Sequence, residues 1–71
     1  MEQMPDSIFN LLRLDGINKH VRVTTTRKVF EGILKRCDEE GNLSVDTDDS
    51  LVLIQRKFLC SIEILKEELV V

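Results

Sequence analysis

The sequence has no apolar run approaching the 18 or more residues that a membrane-spanning helix needs, and its first residues, Met1-Glu-Gln-Met-Pro-Asp, lack the basic and apolar regions of a secretory signal. Both absences point to a cytoplasmic or nuclear protein with no membrane partner. Cysteine is scarce, with only Cys37 and Cys60, and neither belongs to a Cys-x-x-Cys or His-rich pattern. A zinc site is therefore not expected, and without a secretory signal the two thiols read as small buried hydrophobes and not as a disulfide. The three glycines are scattered, which excludes a glycine-rich phosphate loop. Positive charge is in deficit: the net charge is −3 and the pI about 5.0. Broad electrostatic binding of nucleic acid is excluded by that balance, and any such site must be a local basic spot.

What is present is ordinary globular composition, 42% hydrophobic, 32% charged and 4% aromatic, which is not that of a disordered chain. Seventy-one residues make room for one domain over 1–71. A core that small is only marginally stable alone, so association with further copies is an expectation. No repeat or low-complexity linker divides the chain.

Pro5-Asp6-Ser7 predicts a helix start over about 6–15, with Asp6 or Ser7 as cap. Ile8, Leu11 and Leu12 form its apolar stripe, Phe9 extends it, and Gly16 follows as a stop. His20 to Thr26 alternates, with Val21, Val23 and Thr25 inward, as a half-buried antiparallel strand does. A second strand enters at Val29 and Phe30 and is interrupted by Gly32, which marks a sharp bend or a close backbone approach. Asp38-Glu39-Glu40-Gly41-Asn42 reads as a turn, Leu43 and Val45 as the strand after it, and Asp48-Asp49-Ser50 as a tight return. Leu51–Ile54 is the fourth strand, Gln55-Arg56-Lys57 a polar break, and Phe58–Ile64 the fifth, with a short tail from Lys66. The fold class is mainly β: an N-terminal helix plus a five-stranded, strongly bent antiparallel sheet over about 20–64, a small barrel of the SH3 type.

The fourth strand is apolar at every position, and Phe58, Leu59, Cys60 and Ile62 nearly continue that character. Half-buried strands alternate, so continuous apolarity predicts cover on both faces. Leu51, Val52, Leu53, Ile54, Phe58, Leu59, Cys60 and Ile62 are accordingly candidate subunit-interface residues, the bland alternative being cover by the helix and one barrel wall. No catalytic constellation is visible. His20 has no acid partner in view, and Ser7, Ser44, Ser50 and Ser61 lack a glycine elbow. Neither enzymatic activity nor a cofactor is expected.

Gly32-Ile-Leu34, three residues, Asp38, three residues, Asn42 resembles the first motif of the Sm and Sm-like proteins at every fixed position. Ile54 to Ile62 keeps only the apolar frame of the second motif, with Gln55 in place of its arginine and Arg56 in place of its glycine. The resemblance covers about Ser7 to Leu65 and implies a ring of six or seven subunits, of this chain or of paralogues, closed by pairing the last two strands edge to edge. It also implies a pore that takes single-stranded, usually uridine-rich RNA in RNA processing, splicing, decay or small-RNA function. Carried over by position, Asn42 is the base reader and Asp38 orients its loop, while Glu40 and Gln55 fall where stacking residues are usual. Arg56 and Lys57 stand in for a Lys-His pair of the bacterial relative Hfq. Read from the residues alone, the bland alternatives are that Asn42 is a turn residue satisfying local backbone groups and Arg56-Lys57 an ordinary solvated hairpin. The altered Glu40 and Gln55 motivate an alternative function, a degenerate subunit of a heteromeric ring or scaffold with little RNA contact.

Overall fold

The computed structural model describes residues 5–65; the tail expected from Lys66 lies outside them. Pro5, with φ −68° and ψ 151°, leads the extended chain into α1, Asp6–Leu11. No side chain caps the helix, contrary to the expectation for Asp6 or Ser7. The Asp6 carboxylate reaches Arg56 instead. The helical path continues through a wider π-turn, Leu12–Gly16, before Ile17 returns to extended backbone. Its buried face is Phe9 and Leu12, while Leu11 is 58% exposed. The expected stripe is thus rotated by about one position, because the Phe9 ring is the larger body to hide.

Five strands follow: β1 (His20–Thr25), β2 (Val29–Cys37), β3 (Leu43–Asp46), β4 (Leu51–Ile54) and β5 (Leu59–Ile64). A short 3-10 turn, Arg56–Phe58, joins the last two and takes Phe58 out of the fifth strand. All pairings are antiparallel, in the order β4-β3-β2-β1-β5. The β1–β2 corner is tied by Thr25, whose hydroxyl donates to the Lys28 carbonyl and accepts from the Arg27 and Lys28 amides.

The nine-residue β2 makes the sheet curl. Its first half pairs with β1, from Val29 opposite Thr24 to Ile33 opposite His20. From Ile33 onward it pairs with β3, with a register shift between Leu34 and Arg36 that bends the strand. Gly32 sits where the partners change. A Cβ there would stand 2.2 Å from the Asp46 carbonyl oxygen, so the close approach expected of this glycine is found. Val21, Val23, Leu34, Leu43 and Val45 fill the interior, closed at one end by Phe9 and Leu12.

On β4, Ile54 points into this core and Val52 packs partly against it, whereas Leu51 and Leu53 are 58% and 74% exposed. Burial therefore alternates along a strand whose sequence does not. Leu59 is likewise buried in the chain's own core, Ile62 packs partly against it, and Cys60 is exposed. One copy shelters Ile54 and Leu59 by itself. Of the eight candidate interface residues it leaves Leu51, Leu53, Phe58 and Cys60 exposed, with the outward residues of β4 the most exposed of the large apolar ones.

Candidate functional site

The Asp38–Asn42 turn is built from a carboxylate and an amide. Asp38 Oδ1 accepts from the Glu40 amide at 3.0 Å and the Asn42 amide at 2.9 Å, and Oδ2 accepts from Asn42 Nδ2 at 3.1 Å. Gly41, at φ +92°, supplies the left-handed step that this return needs. Donation to the ionised form, chiefly from the Asn42 backbone amide, holds the Asp38 carboxyl below its ordinary value, although partial desolvation opposes it. The other side of the amide is also engaged: Asn42 Oδ1 accepts from the Arg56 backbone N–H at 3.0 Å. Asn42 thereby links the turn after β2 to the turn after β4. Arg13 ties the helical segment to the same place, donating to the Asp38 carbonyl at 2.6 Å and to Asn10.

Arg56 lies across this junction. Its guanidinium carbon is 4.5 Å from the Phe9 ring centroid, Nη1 donates to the Glu40 carbonyl at 3.4 Å, and Nη2 meets Asp6 Oδ1 at 2.6 Å. Such a cation over an aromatic face contributes about 0.5–2 kcal/mol. Gly41 leaves the room: a Cβ there would come 2.8 Å from Arg56 Cδ and 3.2 Å from the Phe9 ring. Glu40, Asn42, Gln55, Arg56 and Lys57 line one open cleft of about 350 Å³. Asp38 stands beside it, sharing a neighbouring cleft with Asn42 and Gln55. All six residues singled out around the two turns are thus brought together. Sequence reasoning missed Asp6, Phe9 and Gly41 as members of this cluster. Fifty residues separate Asp6 from Arg56, and nothing in local spacing signals such a contact.

Elsewhere the basic residues are less available than their spacing suggests. Arg22 lies between Glu31 on β2 and Glu63 on β5, at 3.6 Å and 3.1 Å, each directly opposite it across the sheet. Lys28 rests its Nζ 4.7 Å from the Phe30 centroid. That corner belongs to a second cleft, about 440 Å³, walled by Thr25–Lys28 and Phe30 on one side and by Val52–Gln55 and Phe58 on the other. It adjoins the uncovered side of β4. His20 is exposed at the start of β1. The buried Cys37 thiol is raised mainly by desolvation, with Arg13 pulling the other way.

Comparison with known proteins decides the family. The family model for the biotin protein ligase C-terminal domain matches residues 16–61, from the end of the π-turn into β5. The chain belongs to the biotin protein ligase C-terminal domain family. No curated protein and no solved structure matches. Membership of this family corrects the Sm and Sm-like resemblance, and with it the functions drawn from that resemblance: the RNA-binding ring subunit of RNA processing or splicing, and the degenerate Sm-like ring subunit. Local geometry accounts for the motif that suggested them. Gly32 is demanded by the Asp46 carbonyl, Leu34 by the core, and Asp38 with Asn42 by the turn between β2 and β3. In this chain those contacts account for the four residues without reference to RNA. The small-barrel fold expected from the sequence is compatible with this family, and no helix among the described residues is long and apolar enough to cross a membrane.

Proposed function

We propose that this chain is a non-catalytic accessory domain of the biotin protein ligase C-terminal type, working by docking and performing no chemistry of its own. The observation that carries the reading is the uncovered side of β4. Leu51 and Leu53 stand 58% and 74% exposed on an outermost strand, next to the cleft walled by Phe30, Val52 and Phe58. Apolar side chains on an open strand edge favour association, since the edge offers unpaired backbone groups and the side chains gain by leaving water. The partner proposed is the catalytic portion of a biotin protein ligase-type enzyme, the protein whose C-terminal domain this chain resembles. Two unpaired thiols, Cys37 and Cys60, support an intracellular setting.

A second reading has its own observation: both outer strands, β4 and β5, end the sheet, so one copy offers an edge to another. Leu51 and Leu53 on β4 and Cys60 and Ile64 on β5, all exposed, would then meet between copies. Biolayer interferometry against a ligase catalytic domain lacking its own C-terminal domain, with sedimentation equilibrium of the chain alone, separates the two readings. Saturable binding that Leu53→Asp weakens at least tenfold supports docking on the enzyme. Self-association abolished by the same change supports the second reading. A chain that stays monomeric, ignores the ligase and is unaltered by Leu53→Asp overturns both; an oligo-uridine titration serves as the specificity control.

A further inference from the structure

The cleft beside β4 opens along the edge of that strand and not on one of its faces. Inward-facing Val52 and Ile54 and outward-facing Leu53 all line it. Its two walls are tied at one end, where the Thr26 amide donates to the Phe58 carbonyl at 3.0 Å. The Thr25 amide braces the same corner on the Lys28 carbonyl at 2.9 Å. The cleft therefore exists before a partner arrives. Among the described strands, β3 alone pairs with β4, so the edge along the cleft keeps its backbone donors and acceptors for an incoming chain.

Charge sets this cleft apart. The net charge is −3, and the clefts around the Asp38–Asn42 turn each carry Asp38 or Glu40 in their walls. Beside β4 the ionisable wall residues are Arg27 and Lys28. Lys28 lies over the Phe30 ring, while Arg27 is exposed and has no ion pair among the described residues. Glu31, the next acid along β2, follows Phe30 and so points to the opposite face, where Arg22 meets it at 3.6 Å.

Resting on the docking reading above, we propose that the partner segment seated here is one extended strand added to the free edge of β4, with a bulky apolar side chain in the cleft and a carboxylate at Arg27. Strand addition satisfies the β4 backbone, whereas a helix bonds its own backbone internally and leaves that edge unpaired. Phe30, Val52, Ile54 and Phe58 give the apolar side chain its walls. The unpaired Arg27 guanidinium suits a carboxylate through its parallel N–H donors. Side chains of a strand alternate, so the carboxylate stands two residues from the apolar anchor, on the same face.

The test is a nuclear magnetic resonance titration of the full chain with acetyl-TETLTET-amide and its TQTLTQT, TKTLTKT and TETSTET counterparts, at one ionic strength. Carboxylates on both sides of the leucine serve either strand direction. The glutamate peptide is expected to bind about two- to fivefold more tightly than the glutamine one, and the lysine peptide most weakly. Replacing the leucine by serine should cost at least about tenfold. Hydrogen exchange should slow at the β4 amides that β3 leaves unpaired. In the Arg27→Glu, Lys28→Glu chain the preference should reverse toward the lysine peptide, which a misfolded chain cannot do.

Attraction by the net charge alone would instead make the lysine peptide the tightest binder of the native chain, and that order, or equal affinities, would overturn the carboxylate contact. Unslowed β4 amides would overturn strand addition. Neither result depends on a variant that folds. Cleft resonances that shift on concentrating the chain alone would put a second copy there and overturn the partner strand. The ligase measurement keeps the two levels apart. The expected peptide order without any ligase binding overturns the docking reading alone. Ligase binding weakened by Leu53→Asp, with no charge order among the peptides, overturns the carboxylate-bearing strand alone.

Discussion

The Asp38 carboxylate holds Asn42 twice, through the backbone N–H at 2.9 Å and the side-chain amide at 3.1 Å. A pattern that suggested a base-reading loop is thereby a self-contained turn, and its amide oxygen is spent on Arg56. Because these donors favour the ionised form, the native carboxyl lies below its ordinary value of about 3.9. A depressed acid contributes stability that is complete above the unfolded value and is lost as pH falls through the native one. Acidification should therefore lower the melting temperature of the native chain. Asp38→Asn should melt lower at neutral pH and show a flatter acid limb; thermal unfolding followed by circular dichroism from neutral pH into the acid range measures both.

Gly32→Ala should be among the most damaging single-atom additions in the chain. The new Cβ meets backbone at 2.2 Å, and neither β2 nor β3 can move without losing its pairing. Overpacking typically costs about 1–3 kcal/mol and occasionally more, and a clash with a carbonyl belongs at the upper end. A urea midpoint unchanged from the native chain would refute this account of the corner.

Phe9→Ala tests whether the helical segment is held by its core side chain. The residue is 1% exposed and carries the Arg56 guanidinium on its ring. Truncations of buried aromatics cost about 3–5 kcal/mol, a large share of what a domain this small possesses. Leu11→Ala, on the exposed side of the same helix, should change stability by less than about 0.5 kcal/mol. Equal effects from the two would mean that the helix packs on its other face.

The two thiols should differ in reactivity. Cys60 is exposed on β5 and should react with an aromatic disulfide reagent at once, whereas Cys37 is buried, its thiol pushed up by desolvation, and should react only on unfolding. A raised thiol adds stability that is complete below its unfolded value, about 8.5, and is lost as pH rises toward the native one. Counting thiols released before and after denaturant, with mass spectrometry to place the label, checks the order. Fast modification of both would contradict the burial of Cys37.

Much of the fold was legible from local chemistry. The alternation of Val21 and Val23, the breaks at Asp38–Asn42 and Asp48–Ser50, and the lone glycine in β2 each impose themselves within a few residues, and the strands follow. The helix face was misread by about one position because Phe9 and Ile8 are both apolar and only the core chooses between them. The apolar run Leu51–Ile54 predicted cover on both faces, yet its alternation appears only when Leu43 and Val45 stand opposite Ile54 and Val52. The site was half legible: the two turns were marked, but Asp6 and Phe9 were not, since they arrive from the far end of the chain. The Sm-like spacing of Gly32, Leu34, Asp38 and Asn42 does not carry the family, because in this chain those residues answer to a bent strand and its turn.

By itself the sequence determined where the strands and turns fall, because backbone propensity, side-chain alternation and Asx chemistry act over short spans. Tertiary structure alone decided which apolar residues stay wet, which carboxylate meets Arg56, and which basic residues are already paired. Those outcomes depend on contacts between residues up to 50 positions apart, and only the curl of the sheet brings them within reach.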